Sequence, residues 1–230
     1  MRPLPVLLAA LAVALAGCDV SGRVEREVEA ALVKAVGPAE SYTVRVEGLS
    51  VRSGEADLVT ALGRRVRPEG APVLDRLDLE LRGVRYDRGE RRLERVESAR
   101  GTVRLVPADL AAFLETREGV RDVAVRLEAP DRATIRVRPD LGGVSLPAGV
   151  AAEVSGRLGG AGGEVRFEVD AVRALGLDLG GAVARRLSDA VNPLADLGST
   201  RPALTVTGVR VEGGAVVVDA TGDLEGLRVE

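Results

Sequence analysis

From Tyr42 onward, apolar residues recur at every second position, and that period confines most of this 230-residue chain to sheets. Leu77, Leu79 and Leu81 alternate with Asp78, Glu80 and Arg82. Val123, Val125 and Leu127 alternate with Ala124, Arg126 and Glu128. Val165, Phe167 and Val169 alternate with Arg166, Glu168 and Asp170. Strands of this kind have one wet face and one buried face, hence mostly antiparallel pairing. Ile135 and Val137 continue the pattern beyond the turn Ala129-Pro130-Asp131-Arg132, and the other turns are Gly-rich: Asp87-Arg88-Gly89, Gly159 to Gly163, and Glu212-Gly213-Gly214.

In three strands the parity of the pattern changes at a glycine. Val44 and Val46 lie on even positions, but beyond Gly48 come Leu49 and Val51 on odd ones. Leu79 and Leu81 give way beyond Gly83 to Val84, and Val206 gives way beyond Gly208 to Val209 and Val211. A plain strand would turn its second half toward water. An extra unpaired residue, a β-bulge, restores the apolar side to one face, and glycine suits that place because it tolerates positive φ. A similar slip separates Val96 from Val103 and Leu105, with Gly101 between them. Bulges increase twist and bend a sheet, which gives it a concave apolar face. That face is either filled by the chain's own helices or left open to a ligand, and periodicity does not separate the two.

Three helices accompany the strands. Residues 21–36 place Val24, Val28, Ala31, Leu32 and Ala35 on one face, ended by Gly37-Pro38. Pro107 to Thr116 gathers Leu110, Phe113 and Leu114. Leu179 to Val191 carries the stripe Leu179, Val183, Leu187 and Val191, with Asp178 as the expected N-cap and Asn192-Pro193 as the stop. The segment from Glu55 to Arg67 reads equally as helix or strand.

Composition removes whole classes of function. With no His there is no Ser-His-Asp triad, no Cys-His pair and no His-based metal site. A net charge of −3 and 2% aromatic residues argue against a nucleic-acid partner and against a stacking platform for bases or sugars. Cys18 is the only cysteine, so no intramolecular disulfide is available.

At the amino terminus Arg2 precedes an apolar run from Leu4 to Ala16. As a helix, that run spans roughly 20 Å, too short for a hydrocarbon core of about 30 Å. It has the length of a signal-peptide core. Leu15-Ala16-Gly17-Cys18 resembles the lipobox of bacterial lipoproteins. The resemblance implies a signal peptide over 1–17, cleavage before Cys18, and diacylglycerol and a further acyl chain such as palmitate on that cysteine. Several acyl chains anchor stably where one does not. An ordinary secretory signal with a chance cysteine is the alternative, and either way the chain is exported. Asp19 is similar to the residue that keeps some lipoproteins on the inner membrane.

The order of the remaining elements is also familiar. Leu81-Arg82-Gly83-Val84-Arg85-Tyr86-Asp87 is followed by a strand into Gly101-Thr102-Val103-Arg104-Leu105-Val106-Pro107-Ala108-Asp109-Leu110-Ala111-Ala112-Phe113-Leu114. Then come an amphipathic helix, Asn192-Pro193-Leu194, and a last hairpin through Gly213-Gly214. Over about residues 22–222 this resembles the LmeA-like family of exported phospholipid-binding proteins, whose architecture is similar to tubular lipid-binding proteins. The resemblance implies an α+β fold in which a strongly curved, bulged antiparallel sheet wraps an amphipathic helix, with two further helices. It implies a single domain over 18–230, with its N-terminal helix at 21–36 and its sheet over 42–222. It also implies phospholipid or glycolipid binding at the outer face of a cell membrane or a periplasmic membrane surface, and it brings no catalytic residue.

The expected function is therefore non-catalytic binding of acyl chains in an apolar groove, with no cofactor and no metal. Candidate lining residues are Val44, Val46, Leu79, Leu81, Val125, Leu127, Val165, Phe167, Val169, Leu204 and Val206. Arg82, Arg126 or Arg166 are candidates for a phosphate, against the plainer role of solvated strand residues. The alternative is a structural or interaction lipoprotein with a solid core, whose free sheet edges add a partner strand. Hydrolysis by paired carboxylates has only Asp75 with Asp78, or Asp219 with Asp223, to draw on. Asp75 and Asp78 differ in parity and face opposite sides of a plain strand.

Overall fold

The computed structural model describes residues 20–50, 52–87, 92–141, 144–145, 150–196 and 204–222. The expected leader 1–17, Cys18, Asp19, Val51 and Asp223 lie outside the described residues. Among the described residues the fold is α+β, with mostly antiparallel pairing in two sheets and three helices. Helix α1 is Val20–Ala35, α2 is Pro107–Leu114 and α3 is Gly180–Val191. The strands are β1 (Ser41–Glu47), β2 (Glu55–Val66), β3 (Leu74–Asp87), β4 (Arg92–Arg95), β5 (Ser98–Leu105), β6 (Val120–Glu128), β7 (Arg132–Leu141), β8 (Val144–Ser145), β9 (Ala152–Ala161), β10 (Glu164–Ala174), β11 (Leu177–Asp178), β12 (Ala195–Asp196), β13 (Leu204–Glu212) and β14 (Ala215–Gly222).

Where one sheet was expected, two are present. The first runs β1-β2-β3-β5-β14-β13, with β4 beside β3. The second runs β11-β10-β9-β7-β6, with β12 beside β10 and β8 beside β7. They meet at β13, whose Val206 N–H donates to the Gly162 carbonyl at 2.7 Å and whose Val211 N–H donates to the Pro130 carbonyl at 2.6 Å. Hairpin tips of the second sheet thus cover the outer edge of the first. The other outer edge, β1, faces α1, and the Glu25 carboxylate accepts the Val46 N–H there at 3.4 Å. Both devices occupy backbone groups that would otherwise invite a foreign strand.

Two apolar clusters hold the layers together. The larger draws Leu77, Val103 and Leu105 from the first sheet and Ile135, Val137, Val154 and Phe167 from the second. It is closed by Leu110 and Leu114 of α2 and Leu187 and Val191 of α3. The smaller sits on the far half of the first sheet, where Val44, Ala56, Val59, Ala61, Val84, Val96 and Ala99 meet Val28 and Leu32 of α1.

The undecided segment 55–67 is strand β2, hydrogen-bonded to β1 on one side and β3 on the other. Its period was hidden because Leu58 and Leu62 stand half-buried on the outer face, opposite Val59 and Ala61. Asp178 is not the cap of α3. Leu179 holds that place with no side-chain cap, and Asp178 pairs with Arg173 at 3.1 Å in the β10–β11 hairpin. The stop after α3 has a second use: the Asn192 side chain accepts the Phe167 N–H at 2.7 Å and donates to the Phe167 carbonyl at 2.8 Å, a substitute for a neighbouring strand.

The glycine parity changes arise in two ways. At Gly208 there is a bulge as expected: the register of β13 on β14 shifts between Val206 and Gly208. At Gly48 and Gly83 there is none. The β1–β2 alignment is the same at Glu47↔Leu58 as at Ser50↔Glu55, and that of β2 on β3 is unchanged across Gly83. Instead, adjacent strands reverse together. Gly48 and Gly83 take φ of 67° and 59°, and Asp57 of β2 and Glu97 beyond β4 lie in line with them. Leu49, Ala56, Val84 and Val96 lie on one side of this line, and Val46, Val59, Leu81 and Ala99 on the other. All of them join the same cluster. The slip assigned to Gly101 therefore falls at Glu97–Ser98. Gly101 stays on the same track as Ala99, Val103 and Leu105.

Candidate functional site

Register brings the candidate lining residues of the first sheet into two adjacent rows. Val44, Ala61, Leu79, Gly101, Ala220 and Val206 face one another in succession across six strands. Beside them run Val46, Val59, Leu81, Ala99, Gly222 and the backbone position of Leu204. The first row is mostly small side chains, so the sheet surface is low there, and Leu79 rises from its middle. A Cβ on Gly101 would come 3.2 Å from the Leu79 Cδ2.

The second sheet repeats the arrangement. Leu127, Ala133, Gly156 and Val169 form one row, and Val125, Ile135, Val154 and Val172 the next. Gly156 lets two strands close up: a Cβ there would stand 2.1 Å from the Glu168 carbonyl oxygen and 3.0 Å from the Phe167 ring.

Burial divides the candidates. Val44, Val165 and Phe167 are closed inside the clusters, the last two at 1% exposure. Val46, Leu79, Leu81, Val125, Leu127, Val169 and Val206 face the same interior but remain half-buried. Leu79 packs against both clusters and is still not fully covered. An apolar side chain near the middle of a sheet, on its core side, ordinarily loses nearly all its exposure. The half-buried candidates are thus spread over both clusters, with Leu79 common to the two.

The outer faces are polar and paired along the strand. Arg82 bonds Glu80 at 2.7 Å, Arg126 bonds Glu128 at 2.7 Å, and Arg166 bonds Glu164 at 2.5 Å. Each partner sits two residues away on the same face, so the three phosphate candidates already hold a carboxylate. The carboxylates considered for hydrolysis are similarly engaged. Asp75 lies 3.6 Å from Arg104 and Asp78 lies 2.6 Å from Arg76, while Asp219 accepts from the Thr102 hydroxyl at 2.8 Å and from Arg210. Hydrogen bonds donated to Asp78 and Asp219 hold the Arg76 and Arg210 guanidinium groups above their ordinary pKa. Among the described residues no group of acidic or Cys side chains is placed to hold a metal ion, and no helix is long and apolar enough to cross a membrane. An open cleft of about 690 Å³ beside Arg95 to Arg100, Thr221 and Gly222 is mostly polar and holds none of the candidate lining residues.

Two groups bracing the ends of the first sheet were not found from sequence. Arg65, at φ 51°, pairs in two-pronged fashion with Asp109 in the first turn of α2, and the hydrogen bond raises the arginine's pKa. The Tyr42 hydroxyl donates to the Gly37 carbonyl at 2.8 Å, and burial raises its pKa above the ordinary 10.0. The Arg65–Asp109 contact joins residues 44 apart and has no local signal, whereas Tyr42, the first strand aromatic after a Gly-Pro stop, lies five residues from its partner and was a local one.

Comparison with known proteins gives one finding. The family model described as LmeA-like phospholipid-binding matches residues 20–221. No curated protein and no solved structure matches the chain.

Proposed function

The chain belongs to the LmeA-like phospholipid-binding family, and from that premise we propose that it is an exported lipoprotein, tethered through lipid on Cys18, which takes phospholipid or glycolipid acyl chains into the seam between its two apolar clusters. It carries out no chemistry on them. The observation that carries this reading is the half-open state of Leu79, which joins both clusters, and of the other core-facing candidates Val46, Leu81, Val125, Leu127, Val169 and Val206. An acyl chain needs a dry apolar surface and little else, at about 0.8 kcal/mol for each methylene it buries. In this reading Val44, Val165 and Phe167 form the packed backing of the groove, α1 lies along its open side, and the first sheet curves around that helix. The family is a lipid-binding one, and the paired state of the acidic residues agrees with a non-catalytic role.

The test is direct. Purified protein is extracted with organic solvent and the extract analysed by mass spectrometry, and the lipid-free protein is then offered labelled phospholipid. Co-purified lipid and saturable uptake are expected. Recovery of no lipid together with no uptake would refute acyl-chain binding and leave the alternative of an anchored interaction protein, for which crosslinking in cells should trap one protein partner.

A further inference from the structure

The β10–β11 hairpin puts apolar residues where folding alone would not. Its two-residue turn is Leu175-Gly176, with φ of 53° and 78°, between Ala174 and Leu177, which pair across the hairpin. Leu175 is 77% exposed and Leu177 is 70% exposed, far more than any other large apolar residue among those described. A bulky residue is disfavoured in the left-handed region, where glycine or asparagine would relieve the strain. The same leucine also places its whole side chain in water. One position thus carries two costs to stability, and such local cost is a mark of a site in use.

The surrounding charge adds a third feature. Arg173 precedes the turn, and Arg185 and Arg186 follow on α3. Arg173 engages Asp178 at 3.1 Å, Arg186 is also engaged, and Asp189 lies further along α3. The Arg185 guanidinium reaches back toward the start of α3, lying 3.6 Å from where a Cβ on Gly181 would be. It finds no carboxylate among the described residues. A helix dipole disfavours a cation at that end, so the arginine is better placed for an external anion than for its own helix.

The geometry points to this hairpin as the tip by which the domain enters an anionic phospholipid surface, leucines among the acyl chains and Arg185 at the phosphates. A protein partner is the weaker candidate on area: a stable interface needs roughly 800 Å² from each side, and a two-residue tip offers a small part of that. A bilayer needs no matching patch. Leucines inserting just below the headgroups, with cations at their level, are the usual composition of an interfacial anchor. A tip of this kind would hold the tethered domain in one orientation against the membrane while lipid enters or leaves.

The chain has no tryptophan, so a single Leu175→Trp substitution in the full-length protein is a clean probe. The variant is reconstituted from detergent with phosphatidylglycerol vesicles that contain brominated acyl chains, which quench indole only on close contact. A Thr43→Trp protein, substituted at an exposed position of β1, is the control. Quenching of L175W well above that of T43W is expected, with less in phosphatidylcholine vesicles. In the otherwise native chain, Leu175→Ser with Leu177→Ser should slow lipid exchange between vesicles at least about ten-fold. Equal quenching of L175W and T43W would overturn the tip. Equal quenching of L175W in the two lipids would overturn the role of Arg185. The inference builds on the lipid-binding reading, and the two fail separately: a protein that loads detergent-dispersed phospholipid while its L175W indole stays in water keeps that reading and loses this one.

Discussion

Filling the low row of the first sheet should block lipid uptake without harming the fold, and Gly101→Val is the substitution that does it. Gly101 sits between Leu79 and Ala220 on the core-facing side of β5. Its φ is not in the left-handed region, so valine meets no backbone strain there. The new Cβ would stand 3.2 Å from the Leu79 Cδ2 and 3.9 Å from the Asp78 carbonyl. The near contact is the end of a half-buried side chain, which can give by a few tenths of an ångström. Replacing glycine within a strand by a β-branched residue is worth up to about 1 kcal/mol in favour of the folded state. Stability should therefore hold or rise.

Binding responds in the opposite direction. Valine adds three carbon atoms to the floor, and each displaces about one methylene of a bound chain, at about 0.8 kcal/mol apiece. The loss is then about 2.4 kcal/mol, or roughly 50-fold in affinity. The assay is titration of lipid-free wild-type and G101V proteins with a fluorescent phospholipid, beside thermal unfolding of each. A variant that binds as tightly as wild type would place the ligand elsewhere. A variant that unfolds would mean the row is packed solid and the seam is not open.

Other perturbations test the frame around the seam. Gly156→Ala forces a Cβ to 2.1 Å from the Glu168 carbonyl oxygen, a backbone atom that cannot move alone; the expected cost is about 3 kcal/mol or more, a fall of roughly 10 °C in melting temperature by calorimetry. Tyr42 has its pKa raised by burial, so the neutral phenol is favoured by the fold, and its contribution is present below the ordinary value of 10.0 and lost as pH rises through the raised one. Denaturant titrations across alkaline pH should show that decline flattened in Tyr42→Phe, which should also lose about 1 kcal/mol at neutral pH with the bond to the Gly37 carbonyl. Cys18→Ser should move the protein from the membrane pellet to the soluble fraction of lysed cells; continued pelleting would refute the lipid tether.

What was legible in the sequence was what depends on neighbours along the chain. The helices near 21–36, 107–116 and 179–191, the antiparallel strands and the glycine parity changes all follow from local period. The Arg–acid pairs two residues apart were also readable from spacing. What escaped depends on residues far apart. Gly48 and Gly83 read as two independent bulges because nothing in either strand says that Asp57 and Glu97 reverse in step with them. Segment 55–66 hid its strand because Leu58 and Leu62 lie on the outer face. The division into two sheets follows from where β13 meets the tips at Pro130 and Gly162, a contact between segments more than forty residues apart in each case. For the candidate site, the strand period grouped residues that share the core-facing side. Which of them are closed off and which stay half-buried depends on packing between elements, and no single strand carries that information.

The matched reversal along Gly48, Asp57, Gly83 and Glu97 also governs how this fold can change over evolutionary time. Gaining or losing a residue inside any one of those strands would throw its two halves out of step with both neighbours, and no adjustment within that strand could repair the mismatch. Length variation among descendants is therefore channelled into the connections, while the four positions pass on as a linked set, each constraining what the others are free to become.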